Sequence, residues 1–285
     1  MQKITVMGEA LLRLLTEEPL DKAEQYQASC GGTALEAACT IARLGGECSL
    51  LACVGEDPFG RHVLDWLKQQ GVDTAQMQQT GQAATTLCFV QHGVNPYYPA
   101  TGADRMLAAS HLQEILLAES GILHFSSEGL ADAPCRFAHQ RAIRVLRQQG
   151  GLLSFALRYH LALWDSPAAW QAAMRAFLPF ADVVTAGEES LMLLTGCEDA
   201  ASAHRQLLAG SCQLICCLSR QGVRLTNQHG TAMLTTELPV SEPEAAGALL
   251  YCIAQEKLQG VLLQELSRKE LHRLGECAVR DAQRR

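Results

Sequence analysis

Three groups of residues in this chain have types and spacing that could do chemistry. Residues 240–251 read Val-Ser-Glu-Pro-Glu-Ala-Ala-Gly-Ala-Leu-Leu-Tyr and open an apolar helical run. That puts Glu242 and Glu244 near a helix N-terminus, where amides and the dipole attract negative charge. A carboxylate there can satisfy the amides itself and repel phosphate, or it can act as a proton acceptor. The pair Gly31-Gly32 lies ahead of an Ala/Leu/Ile helix. Glycines at such a junction let backbone approach a ligand and leave amides free at the helix mouth; a tight turn with no ligand is the other reading. The planar fork of Arg158 suits a carboxylate, and a surface arginine beginning a loop is its alternative. Glu188-Glu189 is the usual first-turn helix charge.

The elements that must position these residues alternate. Residues 3–7, 48–54, 84–92, 121–126, 151–156, 182–185, 213–218, 222–226 and 231–235 are strand-like. Helical patterns cover 33–44, 58–70, 135–148, 167–179, 245–259 and 268–283. Repeated β-α units predict a mostly parallel sheet covered by helices on both faces. Ligands of such sheets bind at the carboxyl ends of strands. Segments 13–31 and 84–104 break the rhythm and are expected to form a small β-lid. The sequence predicts a single domain over residues 1–285, without linker or repeat.

Composition bounds the function. With 285 residues, 48% of them hydrophobic, the chain can bury a large core. A net charge of −7 argues against nucleic acid or an anionic membrane as partner. No apolar stretch reaches the roughly 18 residues of a membrane helix. Of the twelve cysteines, Cys39, Cys53, Cys88, Cys216, Cys217 and Cys252 lie among Ala, Val, Leu and Ile, as packed thiols do. No C-x-x-C pair occurs, so a reducing, cytoplasmic setting and no metal site are expected.

Five ordered blocks over about residues 1–250 resemble the ribokinase-like (PfkB) carbohydrate kinases. They are Gly8-Glu9-Ala10-Leu11-Leu12-Arg13; Gly31 to Ala38 with Ala42-Arg43-Leu44-Gly45; and Val54 to Gly60 with Gly71-Val72-Asp73-Thr74. Tyr97-Tyr98 through Leu107, and Ala181-Asp182-Val183-Val184 through Leu194-Thr195-Gly196, complete the set. The resemblance is nearest in feel to 2-keto-3-deoxygluconate kinases and fructokinases. It implies a ribokinase-like α/β/α fold and a sugar or sugar-acid site at Glu9, Gly31, Gly32, Glu36, Tyr98 and Arg158. It also implies a degenerate nucleotide site at Gly187, Glu188, Ser190, Ser219 and Gly222.

Departures from the family pattern gather where chemistry would be. The family's sugar-touching Asn is Glu36, its D-P-N-Y-R-like stretch is Ala156-Leu157-Arg158-Tyr159-His160, and its lid arginine is Pro99. The magnesium-organising N-x-x-E is Gly187-Glu188-Glu189-Ser190, and T-L-G-x-x-G is Cys217 to Gly222. In ungapped register the catalytic Asp of D-T-x-G-A-G-D-A-F falls on Gly247, and the anion-hole positions fall on Glu244, Ala245 and Ala246. Losing the base costs about 10²–10⁴ in rate and losing an anion-hole donor roughly 10²–10³.

Three expectations follow from the departures. The first is a non-catalytic homologue that binds a sugar or sugar acid, with Arg158 directed into the cleft favouring the acid. The second is an active Mg-ATP-dependent carbohydrate kinase using Glu242 or Glu244. The third is a structural subunit that pairs through its lid. A homodimer is expected from the open edges of the lid sheet.

Overall fold

A computed structural model describes residues 1–91, 96–98, 101–131, 133–160, 163–236, 240–258 and 261–282. The expectation at Pro99 and parts of the 84–104 segment lie outside the described residues.

The chain begins with β1 (Ile4–Met7), β2 (Leu11–Leu15), β3 (Gln27–Gly31), α1 (Thr33–Arg43), β4 (Cys48–Leu51), β5 (Cys53–Gly55) and α2 (Pro58–Gln69). It continues through β6 (Gln78–Thr80), β7 (Leu87–Val90), β8 (Tyr97–Tyr98), α3 (Glu114–Ala118), β9 (Ile122–Ser126), α4 (Ala133–Gln148), β10 (Leu152–Leu157) and α5 (Pro167–Phe177). The last part holds β11 (Val183–Gly187), α6 (Glu188–Thr195), α7 (Ala200–Leu208), β12 (Leu214–Ser219), β13 (Gly222–Asn227), β14 (Gly230–Thr235), α8 (Glu242–Glu256), α9 (Val261–Glu265) and α10 (Arg268–Ala282).

Eight strands form the main sheet in the order β14-β13-β12-β11-β10-β9-β1-β4. The six from β4 to β12 pair in parallel, and the β13–β14 hairpin adds two antiparallel edge strands. Every residue of β9 and β10 is buried, as expected of strands covered on both faces. One core joins Ile4, Leu50 and Leu214 to α1, α8 and α10. The other joins Phe125, Phe155 and Ile215 to α4, α5 and α7. This is the expected three-layer α/β/α arrangement.

A second sheet, β3-β2-β7-β8, is built from the two segments that break the rhythm. The chain leaves β1, runs out along β2, returns antiparallel along β3, and enters α1 at Gly32. This path sets the small sheet at the carboxyl end of β1. A shorter sheet pairs β5 with β6.

Helix α8 starts at Glu242, three residues before the expected 245. Ser241 is its N-cap and forms a capping box with Glu244, and a helix begins where its first amides find acceptors.

Candidate active site

The carboxyl ends of β10, β11 and β12 and the mouth of α8 open onto a cleft of about 1070 Å³. Its walls include Arg13 from β2, Glu36 from α1, Arg158 after β10, Gly187 ending β11, Ser219 ending β12, and Glu242.

At the sugar end the backbone is forced into close approach. Gly32 has φ +121°, and a β-carbon there would fall 2.6 Å from the Glu9 carbonyl oxygen, so only glycine fits. The next residue ties the site together. Thr33 N donates to Glu9 Oε1 at 3.0 Å, and Thr33 Oγ1 donates to Glu128 Oε1 at 3.1 Å. Arg158 Nη1 reaches Thr33 Oγ1 at 3.3 Å. Burial, reinforced by the charges of Glu128 and Asp104, pushes the Glu9 carboxyl up to about 8. Glu9 therefore carries its proton near neutral pH and can donate a hydrogen bond as well as accept one.

Arg158 faces this cluster. Burial alone would lower its pKa, but the acidic side chains around it, Glu128 and Glu242 first, more than offset that and hold the guanidinium firmly charged. Glu36 forms an ion pair with Arg13, whose guanidinium lies over Gly31. Burial still raises the Glu36 carboxyl above its ordinary value, against the pull of Arg13.

The sequence-predicted sugar residues Glu9, Gly32, Glu36 and Arg158 thus come together, with Gly31 beneath Arg13. Tyr98 does not join them. It is 57% exposed and packs edge-on against Phe89 at 5.5 Å. Successive strand residues face opposite ways, so its neighbour Tyr97 takes the inward place. Its ring meets His160 at 5.4 Å, and burial, with Glu9 and Cys88 nearby, raises its phenol pKa. Burial, then Arg158, lowers the pKa of His160. Sequence reasoning also missed Glu128 and Thr33. The signal for Glu128 was its place just past the carboxyl end of β9; no local motif marks it.

The nucleotide end holds Gly187, Glu188, Ser190 and Ser219 in the cleft wall. Glu188 pairs with Arg224 at 3.4 Å, and Ser190 Oγ accepts from Tyr159 N at 3.3 Å. Gly222 stands apart. It has φ +132° and is paired against β14, where a β-carbon would strike the Leu234 carbonyl; its glycine serves the hairpin.

The expected base position also needs correction. Gly247 lies five residues past the start of α8, and a β-carbon there would sit 2.6 Å from the Ala37 carbonyl oxygen of α1. It is a helix-packing glycine and lies away from the mouth. Ala245 and Ala246 are likewise buried in α8. The ungapped register fails because the helix begins earlier than its apolar pattern. Of the two acids at the mouth, Glu244 is bound to Ser241, accepting from its N at 3.1 Å and its Oγ at 2.9 Å. Glu242 instead faces the cleft, and a β-carbon at Gly187 would lie 2.6 Å from its Oε1. Burial raises the Glu242 carboxyl above its ordinary value, with Arg158 opposing.

A profile of the pfkB family carbohydrate kinases matches residues 1–243. The chain belongs to that family. It is 31% identical over 185 residues to a probable fructokinase-7 of Arabidopsis thaliana, covering 63% of this chain and 54% of that protein. It is 28% identical over 272 residues to fructokinase-2 of Solanum lycopersicum, covering 91% of this chain and 82% of that protein. In matches such as the first, the chain spans about half the length of the curated relatives it matches. Among solved structures, fructokinase with bound ATP from Xylella fastidiosa superimposes with a TM-score of 0.84 at 26% identity, over 99% of this chain and 92% of that one. The fold is thus the ribokinase-like α/β fold of sugar kinases.

The residues at the mouth of α8 do not fit the polyphosphate that such a kinase would carry. Of the first three amides of α8, Pro243 has no N–H and that of Glu244 is taken by Ser241 Oγ at 3.3 Å. Four arginines and four glutamates line the cleft, so its side chains offer no surplus positive charge to a polyanion. Among the described residues, no group of three or more His, Cys, Asp or Glu side chains could hold a metal ion. No described helix is long and apolar enough to cross a membrane.

Proposed function

We propose that this chain is a sugar-binding member of the pfkB family that does not transfer phosphate, and that it acts as a sensor or regulator. The observation that carries this reading is the closed mouth of α8. The Glu244 amide is taken by a capping box, Pro243 has no N–H to offer, and the Glu242 carboxylate faces the place where an anion would sit. Phosphoryl transfer depends almost wholly on positioning and on charge stabilisation of the γ-phosphate oxygens, and this mouth supplies neither.

The ligand is a neutral sugar. Arg158, which alone would favour a sugar acid, already faces the carboxylates of Glu128 and Glu242, and Arg13 is paired with Glu36. A substrate carboxylate at Arg158 would therefore meet acidic side chains as well as the guanidinium. Buried Glu and Thr groups and the Tyr97 hydroxyl suit alcohol groups, which both donate and accept. Calorimetric titration with ketohexoses, aldopentoses and their acids tests this. Saturable binding of a neutral sugar, weakened by Glu128→Gln, is expected; preference for the acid forms would exclude the neutral-sugar reading.

One observation favours a second reading. Glu242 is a half-buried carboxylate with a raised pKa at the helix mouth beside Arg158, a suitable proton acceptor for a kinase of rearranged geometry. That reading requires sugar-dependent turnover lost in Glu242→Gln. We also infer a homodimer through the small sheet, whose Leu15 and Tyr98 are exposed; a monomer by light scattering at high concentration counts against it.

A further inference from the structure

On the opposite side of β13 and β14 from α10, a second cavity of about 790 Å³ lies between α7 and the β13–β14 hairpin. Its size is that of a small-molecule pocket. His204 and Arg205 come from α7, Arg224 and Thr226 from β13, and Gln228 and His229 from the hairpin turn. No acidic side chain lines it among the described residues, although the whole chain carries a net charge of −7.

His204 is the unusual group in this wall. It is 2% exposed, and its Nε2 has no hydrogen-bond partner. Its Nδ1 lies 2.9 Å from Thr226 Oγ1, which accepts from Thr231 Oγ1 at 3.3 Å. With Thr226 donating to Nδ1, the imidazole proton sits on Nε2, which then has nothing to donate to. Burial, aided by the Arg224 charge, lowers the pKa of this ring to about 4, so it stays neutral. A buried ring nitrogen without a partner is costly and rare in a folded chain, and His204 shares the lining of this cavity with Arg205 and Arg224.

We infer that this cavity binds a small organic anion, whose phosphate or carboxylate oxygens accept from His204 Nε2 and lie between Arg205 and Arg224. The placement gives the ligand a route to the cleft. Arg224 lines both cavities and pairs with Glu188 in the first turn of α6. An anion that draws on Arg224 competes with Glu188, so occupancy here changes the charge at the cleft wall. This inference holds whether or not the cleft binds sugar.

The test is calorimetry on the full chain with pyrophosphate and, separately, citrate, which distinguish a phosphate from a carboxylate ligand. At least one probe is expected to bind. Arg205→Glu is expected to weaken that binding by about tenfold or more, and His204→Asn similarly. Arg205 is exposed, so its variant keeps its fold and decides the matter even if the His204 variant does not fold. Arg220→Ala, at the cleft, is expected to leave binding unchanged. Absence of binding by both probes at millimolar concentration overturns the inference. So does binding that survives Arg205→Glu or is lost in Arg220→Ala, which would place the anion elsewhere.

Discussion

Glu242 Oε1 lies 2.6 Å from where a β-carbon on Gly187 would be, so the carboxylate opening α8 is seated against the backbone that opens α6. Two helix mouths that could converge on one anion are separated by a negative charge. Removing that charge leaves four arginines against three glutamates in the cleft wall. Glu242→Gln should therefore tighten ATP binding by about fivefold or more, the effect of one nearby charge in a well-solvated site. Titration of wild type and variant with Mg-ATP at fixed ionic strength checks this; equal or weaker binding by the variant would remove the carboxylate from the explanation.

Gly247→Asp restores a family-like acid in the ungapped register, but in a helix interface. Its side chain would meet the Ala37 carbonyl and Thr40. Overpacking and an unpaired buried charge together should cost about 3 kcal/mol or more, with no gain in turnover. Urea unfolding measures the loss. A variant as stable as wild type would mean that α8 packs differently on α1.

The Glu9 carboxyl gives a pH signature. Its folded pKa, about 8, lies above the ordinary 4.5, so between these values the folded state holds more protons than the unfolded state. Its contribution to stability is complete below about pH 4.5, erodes as pH rises, and is gone above about 8. Glu9→Gln mimics the protonated form. The variant should match wild type near pH 5 and exceed it in thermal stability near pH 8.5. The buried rings of His124 and His139, lowered to about 4, act on the acid side and cancel in this comparison. A difference that is flat with pH would contradict the shift.

Tyr97 and Tyr98 separate inward from outward on one short strand. Tyr97→Ala should weaken sugar binding by about tenfold, the loss of a half-buried hydrogen-bonding aromatic. Tyr98→Ala should leave affinity unchanged. The reverse order would mean that β8 is paired in the opposite phase.

Much of this fold was legible in the residues. The apolar runs of β9 and β10 and the spaced helices each had one physical interpretation, and the structure follows them. Glu9 and Glu36 were placed by the family resemblance, and Arg158 by that resemblance together with its planar fork. The mouth of α8 was misjudged, although Ser241-x-x-Glu244 is a capping-box signature that fixes the start before the apolar run begins. Tyr98 was misassigned because the phase of a two-residue strand depends on its pairing with Leu87 and Cys88, which no local pattern reveals. Glu128 and the short helices α6 and α7 carry no distinctive spacing; only the sheet order places them.

The central claim is that the closed mouth of α8 prevents phosphoryl transfer. Sugar-dependent ADP release by the unmodified chain, across hexoses, pentoses and 2-keto-3-deoxy sugar acids with Mg-ATP, measures it directly. The account predicts no release above the sugar-free background, with neutral-sugar binding intact under the same conditions. Turnover by wild type that falls by about 10²-fold or more in Glu242→Gln would contradict it, and would make Glu242 the base of an active kinase.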